Sequence, residues 1–142
     1  MARGIPKAVV EMLHAVPLLS GCNQKELRQI AKLGTHLRVA DGLVLTEQGK
    51  PGHEFFLLVS GGARCLVNGS SVANFAPGDF FGEMALLDHG PRHATVIADG
   101  PTELIVLDGR EFNTLLDASP SITKKLLFAL AERERANATA RS

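Results

Sequence analysis

The chain has 142 residues, of which 45% are hydrophobic and 21% charged, and its 15 basic and 15 acidic side chains cancel. This is ordinary globular composition, and a chain of this length buries roughly two thirds of its unfolded surface. The composition argues against disorder, and the charge balance offers no basic excess for nucleic acid. We therefore expect a single domain over residues 1–142.

Cysteine usage and hydropathy bear on the compartment. Cys22 and Cys65 form no CxxC motif and no disulfide framework, so we interpret them as thiols. No apolar run approaches the length of a membrane span, and no charged segment leads into an apolar leader. The expectation is a cytoplasmic protein without a membrane partner.

Residues 1–36 are predicted to be helical. In the first segment four apolar residues recur at helical spacing, Ile5, Val9, Met12 and Leu13. A second helix is predicted after Asn23, because Asn23 and Glu26 have the spacing of a capping box. Its apolar face indicates that it runs to about Leu33.

Residues 37–108 change to short apolar runs separated by turn residues, as is typical of strands. Six runs are predicted, at residues 43–45, 55–59, 63–67, 72–75, 96–98 and 104–107. Asn68 and Gly69 lie between two of them and predict a hairpin, because both residues tolerate positive φ. This spacing favours a compact barrel or roll over alternating βαβ units.

Residues 109–142 return to a helical period. A short apolar face is formed by Phe112, Leu115 and Leu116. Ser119 then offers an N-cap, with Pro120 at the first helical position. A longer C-terminal helix is indicated by fourfold spacing of Ile122, Leu126 and Leu130.

The segment 81–96, with the sequence FGEMALLDHGPRHATV, breaks the strand-and-turn rhythm. Gly82 lets the backbone approach a ligand, and a short helix beginning near Glu83 presents free N–H groups. Arg92 returns after a turn, and its planar guanidinium suits a phosphate. Because a carboxylate would repel that anion, we interpret Glu83 as an acceptor for a sugar hydroxyl.

This segment resembles the phosphate-binding cassette of the cyclic nucleotide-binding domain family, which includes catabolite activator proteins, kinase regulatory subunits and gated channels. The resemblance is carried by FGEMAL, four further residues and PRHATVIA, and by Gly49, Gly52, Phe55 to Leu58 and Gly61 before them. Thr46 and Lys50 depart from the family's earlier signature.

The resemblance covers roughly residues 18–135. It implies a mainly β fold, an eight-stranded antiparallel β-roll of the jelly-roll or double-stranded β-helix type. N-terminal helices (1–36) and C-terminal lid helices (109–142) flank the roll (37–108), and the cassette occupies residues 81–95.

The resemblance also implies roles for individual residues. Arg92 would pair with the exocyclic phosphate oxygens, and Glu83 would accept the ribose 2′-hydroxyl. Gly82 would contact the sugar through its backbone, and the N–H of Ala85 would cap the phosphate. The full candidate ligand-binding set is Phe81, Gly82, Glu83, Met84, Ala85, Arg92, His93 and Ala94.

Two features of the candidate site leave alternatives open. His93 stands where the family usually has Ser, Ala or Thr, and its ring either touches the ligand or faces solvent. The helix from Pro120 would close over the base as a lid, but it contains no Tyr or Trp. Base stacking would then use Phe128, an aliphatic residue or an arginine plane.

The function that we expect is a non-enzymatic sensor of a cyclic nucleotide, with cAMP first and cGMP second, and with no cofactor or metal. Its further partners would be an unidentified protein and, as an open alternative, a second copy bound through the C-terminal helix. No nucleic-acid partner is expected from this chain alone.

Three rival functions compete with this expectation. A degenerate domain would keep the fold as a protein-interaction module and bind no nucleotide, which the unusual His93 favours. A transcription regulator would need a helix-turn-helix beyond the lid helix. A phosphodiesterase is disfavoured, because no metal cluster or nucleophile-base pair accompanies the site.

Overall fold

Two four-stranded antiparallel sheets form the middle of the chain. The computed structural model describes residues 11, 13, 16–19 and 22–141, with side chains as far as residue 136. The strands are β1 (Thr35–Val39), β2 (Val44–Thr46), β3 (Glu54–Ser60), β4 (Ala63–Val67), β5 (Ser70–Phe75), β6 (Phe80–Phe81), β7 (Thr95–Ala98) and β8 (Thr102–Asp108). The strand orders are β1-β8-β3-β6 and β2-β7-β4-β5. The predicted eight-stranded antiparallel roll is confirmed.

In the part of the chain from residue 16 to residue 141 that the structure describes, four helices accompany the sheets, together with a 3-10 turn at Pro17–Leu19. They are α1 (Gln24–Leu33), α2 (Glu83–Asp88), α3 (Gly109–Ala118) and α4 (Pro120–Arg141). The helix predicted around Ile5, Val9 and Met12 lies outside the described residues. Leu13, the last residue of that predicted face, is helical and buried.

Strand β3 is buried on both faces, which explains its unbroken apolar sequence FFLLV. Phe55, Leu57 and Val59 pack against the helices, in a core shared with Phe112. Phe56 and Leu58 point into the roll. The strand therefore carries both hydrophobic cores, one under the helices and one between the sheets.

Two strands were absent from the six predicted apolar runs. In β1, with the sequence THLRV, no residue is fully buried, so the usual alternation signal is weak. Strand β6 has two residues, Phe80 and Phe81, which pair with Leu57 and Phe56. Both strands are held by cross-strand pairing, which local periodicity does not report.

Turn and cap predictions are confirmed in their local geometry. Asn68 and Gly69 both have positive φ, at 53° and 81°, between the paired strands β4 and β5. The capping box of α1 is complete: Asn23 accepts from the N–H of Glu26, and Glu26 accepts from the N–H of Asn23. Helix α4 begins at Pro120, as predicted.

The capping residue Glu26 also joins α1 to the joint between α3 and α4. Its Oε2 accepts a 2.7 Å hydrogen bond from the hydroxyl of Ser119, a fully buried residue between α3 and α4. The same hydroxyl accepts from the N–H of Ile122 at 3.4 Å. One carboxylate of α1 therefore helps to fix the joint from which α4 departs.

The Glu26 carboxylate leads to a prediction about pH. Two hydrogen bonds to the Glu26 carboxylate lower its pKa in the folded protein. The larger effect comes from the Ser119 side chain and the smaller from the backbone N–H of Asn23. Its contribution to stability is therefore complete above the unfolded pKa of about 4.3 and is lost as the pH falls through the lower folded value. Urea unfolding between about pH 6 and about pH 3 should show the free-energy gap between wild type and Glu26→Gln closing at acid pH.

A matched control is Glu132→Gln, which removes an exposed carboxylate from α4. We expect this variant to differ little from wild type across the same range. A Glu26→Gln gap that stays constant from neutral to acid pH would contradict the charge-dependent bond.

Candidate functional site

Gly82 shapes the entrance to α2. It is the N-cap of this six-residue helix and has a left-handed conformation, with φ at 91°. A Cβ at this position would lie 2.6 Å from the carbonyl oxygen of Glu54 and 2.9 Å from Nη1 of Arg92. The position therefore requires glycine both for its backbone and for the close approach of Arg92.

Arg92 is buried, with 6% of its surface exposed. Its Nη1 donates to the carbonyl of Gly82 at 3.1 Å, and its Nη2 donates to the carbonyl of Glu54 at 3.0 Å. Nη2 also lies 3.4 Å from Oε1 of Glu54. A Cβ on Gly52 would lie 1.8 Å from Nε, so the guanidinium rests directly on that glycine.

The charge of Arg92 is balanced by nearby carboxylates. Burial lowers the pKa of Arg92, while the carboxylates of Glu54 and Glu83 act in the opposite direction. An arginine side chain stays protonated in proteins, so the buried group is a cation. A buried cation at the start of α2 is able to hold an anionic ligand.

Glu83, at the first position of α2, is also buried, with 4% of its surface exposed. Its Oε1 accepts a 2.8 Å hydrogen bond from Nη1 of Arg133, and its Oε2 accepts from the N–H of Met84 at 3.1 Å. Both carboxylate oxygens therefore already have a donor in this structure.

Arg133 reaches this site from α4 and was missed by the sequence reasoning. Its guanidinium lies over the ring of Phe80 at 4.2 Å and near that of Phe75 at 5.8 Å, and its Nη2 donates to the carbonyl of Phe80. A signal was present, because Arg133 continues the inward face of Leu126 and Leu130. A cation at such a position indicates a buried partner.

The ring of His93 contacts Asp88 within the cassette. The Nε2 of His93 lies 3.0 Å from Oδ2 of Asp88, and both side chains are substantially exposed. Hydrogen bonds to the Asp88 carboxylate lower its pKa. The larger effect comes from the N–H of Gly90 and the smaller from the His93 ring. These bonds close the turn after α2, where His89 also has positive φ.

The remaining candidates occupy different environments. The Phe81 ring is buried between those of Phe56 and Phe75, at centroid distances of 4.8 and 5.3 Å. Met84 is exposed, Ala85 is buried, and Ala94 packs against the core of the roll. Phe128, predicted as one way to cover a base, is 62% exposed on α4.

A cleft of about 470 Å³ lies beside the cassette. It is bounded by the loop around Gly52, by the segment from Ala85 to Pro91, and by Asn113 of α3. Of the predicted site residues only Ala85 lines it. Gly52, on which the guanidinium of Arg92 rests, lines the cleft as well.

Two further properties concern the described part of the chain. Within it, no group of three or more His, Cys, Asp or Glu side chains is arranged to hold a metal ion. None of its helices has the length and apolarity needed to cross a membrane.

Comparison with known proteins identifies the family. The family model for the cyclic nucleotide-binding domain matches residues 36–119, more than half of the chain. The cAMP-dependent protein kinase regulatory subunit of Hypocrea atroviridis is 38% identical over 104 residues, which are 73% of this chain and 22% of that protein. The chain belongs to the cyclic nucleotide-binding domain family, and it spans about a fifth of that relative.

Solved structures support the same assignment. A structure described as cAMP-bound PfPKA-R (141–441) is 28% identical with a TM-score of 0.80, and the match covers 92% of this chain and 45% of that one. The catabolite activator protein of Thermus thermophilus is 29% identical with a TM-score of 0.79, over 87% of this chain and 61% of that one.

The close contact between Gly52 and the guanidinium of Arg92 leads to a second prediction. Gly52→Ala should displace the guanidinium, because the new methyl group would overlap Nε. Overpacking of this kind costs about 1–3 kcal/mol, which urea unfolding would measure. Gly62→Ala is a suitable control, because its Cβ would have its nearest contact at 3.4 Å. Equal stability of the two variants would show that position 52 tolerates a side chain next to Arg92.

Proposed function

We propose that this domain is a non-enzymatic regulatory module that binds a cyclic nucleotide, with cAMP as the first candidate. The observation that carries this proposal is the pair of buried, opposite charges, Arg92 and Glu83, at the start of α2. The family and the cAMP-bound neighbour support the choice of ligand class.

The phosphate would pair with Arg92. The close contacts with Gly52 and Gly82 hold the guanidinium in place before the ligand arrives. This lowers the entropy cost of ordering the arginine side chain on binding. The N–H of Ala85 would donate a further bond to the phosphate. In this proposal Phe81 contributes through the backbone, and Met84, His93 and Ala94 lie at the edge of the site.

The ribose would bind Glu83, with Gly82 contacting the sugar through its backbone. A carboxylate accepts up to about four hydrogen bonds, so a 2′-hydroxyl can join or replace the present donors. The present donor from α4 is Arg133. Binding at Glu83 would therefore change the contact that ties α4 to the roll.

This contact gives the module a route for regulation. A ligand shifts a protein between two arrangements only if it binds one of them more tightly. A ribose that competes with Arg133 for Glu83 favours release of α4, whereas one that shares Glu83 favours the closed arrangement. We propose that this release or closure of α4 exposes or covers a surface that binds a protein partner. The partner is either a different protein or a second copy of this chain.

The base would be covered from α4. Arg133 offers a guanidinium plane at the site, whereas the Phe128 ring is exposed on α4. Arginine stacks on aromatic rings and carries several N–H donors. Measured preference between cAMP and cGMP would report which contacts are made.

A second candidate is a protein-interaction module that binds no nucleotide. It is favoured by one observation: Arg92 and Glu83 are already partnered within the chain, by Glu54 and Arg133. Calorimetric titration of the wild-type protein with cAMP and cGMP separates the two functions. Absence of heat and of thermal stabilisation with both nucleotides would favour this candidate.

Arg92→Ala provides the direct test of the phosphate role. Removing one half of a buried charge pair costs about 2–5 kcal/mol, so cAMP should bind at least about thirtyfold more weakly by calorimetry. Arg110→Ala, at an exposed arginine of α3, should bind as wild type does. A melting curve must show that both variants fold. Wild-type affinity in Arg92→Ala would remove this residue from the site.

Glu83→Ala tests the ribose role through a double-mutant cycle with 2′-deoxy-cAMP. The variant should weaken cAMP more than the deoxy ligand, because the deoxy ligand has no hydroxyl to lose. A hydrogen bond to a carboxylate is worth about 1.5–3 kcal/mol, which sets the upper range of the coupling. A coupling of zero would rule out the hydroxyl contact.

A further inference from the structure

The hydrogen bonds of Arg92 leave little of its fork free. A guanidinium has five N–H donors, and three hydrogen bonds from Arg92 go to the chain. One runs from Nη1 to the carbonyl of Gly82, and two run from Nη2 to the carbonyl and the carboxylate of Glu54. The two donors that remain are on Nε and Nη1.

These two donors do not lie on one edge of the fork. A bidentate bond to phosphate uses either the Nε and Nη2 edge or the Nη1 and Nη2 edge, because Cδ lies between Nε and Nη1. Each usable edge needs a proton of Nη2. A phosphate that binds Arg92 with two parallel bonds must therefore displace one of the two bonds to Glu54.

The carboxylate of Glu54 is the bond that can yield. The Glu54 carbonyl belongs to β3, where this residue pairs with Asp108 of β8. The carboxylate is at 3.4 Å from Nη2, belongs to a side chain that is 48% exposed, and is otherwise held by the N–H of His53 at 3.3 Å. It can rotate into water without breaking the sheet.

We propose that the Glu54 carboxylate is a placeholder that occupies the phosphate position on Arg92 and so sets the affinity of the site. This inference rests on the proposed function, because it takes the displacing anion to be the cyclic phosphate. Glu54 weakens binding in two ways. Its bond to Nη2 must be broken, and its negative charge then lies close to the phosphate.

The expected effect is modest and has a definite sign. The Glu54 partner of the buried Arg92 is half exposed, and an ion pair with a solvated partner is worth about 1 kcal/mol, which corresponds to about fivefold in a dissociation constant. Glu54→Gln should therefore bind cAMP up to about fivefold more tightly than wild type. The gain should shrink as salt is raised, because exposed charges are screened.

Calorimetric titration with cAMP at low and high salt tests the placeholder. Glu47→Gln is the matched control, because Glu47 is an exposed carboxylate on the loop that leads into β3 and its replacement changes the net charge equally. We expect this control to bind as wild type does. Glu54→Asp keeps the charge but shortens the side chain, so it should also bind more tightly than wild type.

The outcomes separate this inference from the proposed function. Tighter binding by Glu54→Gln and Glu54→Asp, but not by Glu47→Gln, supports the placeholder. If wild type binds cAMP and Arg92→Ala does not, yet Glu54→Gln binds equally or more weakly, the placeholder is overturned and the proposed function stands. A Glu54→Asp variant that matches wild type while Glu54→Gln is tighter also overturns it. Absence of binding by wild type and Glu54→Gln alike overturns both.

Discussion

The buried guanidinium of Arg92 is the group around which the rest of the site is arranged. Removing a cation from water is costly unless hydrogen bonds and an opposite charge replace the lost hydration. The replacements are the carbonyls of Gly82 and Glu54 and the Glu54 carboxylate. They are close enough only because Gly52 and Gly82 have no side chains. The glycines of two separate loops are thus required by one arginine.

The ion pair between Glu83 and Arg133 places the second charge of the site under the control of α4. Fifty residues separate the two partners along the chain, and the bond length is 2.8 Å. Just before the start of α4, Ser119 is bonded to Glu26 of α1. Carboxylates therefore hold this helix at two places, next to its first residue and at Arg133, and the second carboxylate belongs to the candidate site.

The two buried charges of the site, Arg92 and Glu83, are partnered within the chain. Every buried polar side-chain atom in the described residues has a hydrogen-bond partner. A ligand therefore exchanges bonds with the chain, and its affinity is the difference between the bonds that it forms and those that it replaces. Glu54 and Arg133 pair with the charged groups of the site, so the bonds that they make are among those a ligand replaces. They therefore affect the affinity as directly as the residues that bind the ligand.

Local features of this chain were determined by its sequence. The Asn68–Gly69 hairpin, the cap of α1 and the start of α4 depend on the conformational preferences of neighbouring residues. The two faces of β3 follow from its continuous apolar run. The glycine, glutamate and arginine of the cassette were identifiable because their spacing matches that of a known family.

Tertiary structure decided which residues meet across the fold. The pairing of β6 with β3, the contact of Glu54 with Arg92, and the reach of Arg133 to Glu83 all join distant parts of the chain. Periodicity shows which face of an element is apolar, but it carries no information about the partner that the face will meet. For the same reason the direction of the His93 ring, toward Asp88, followed from the folded turn.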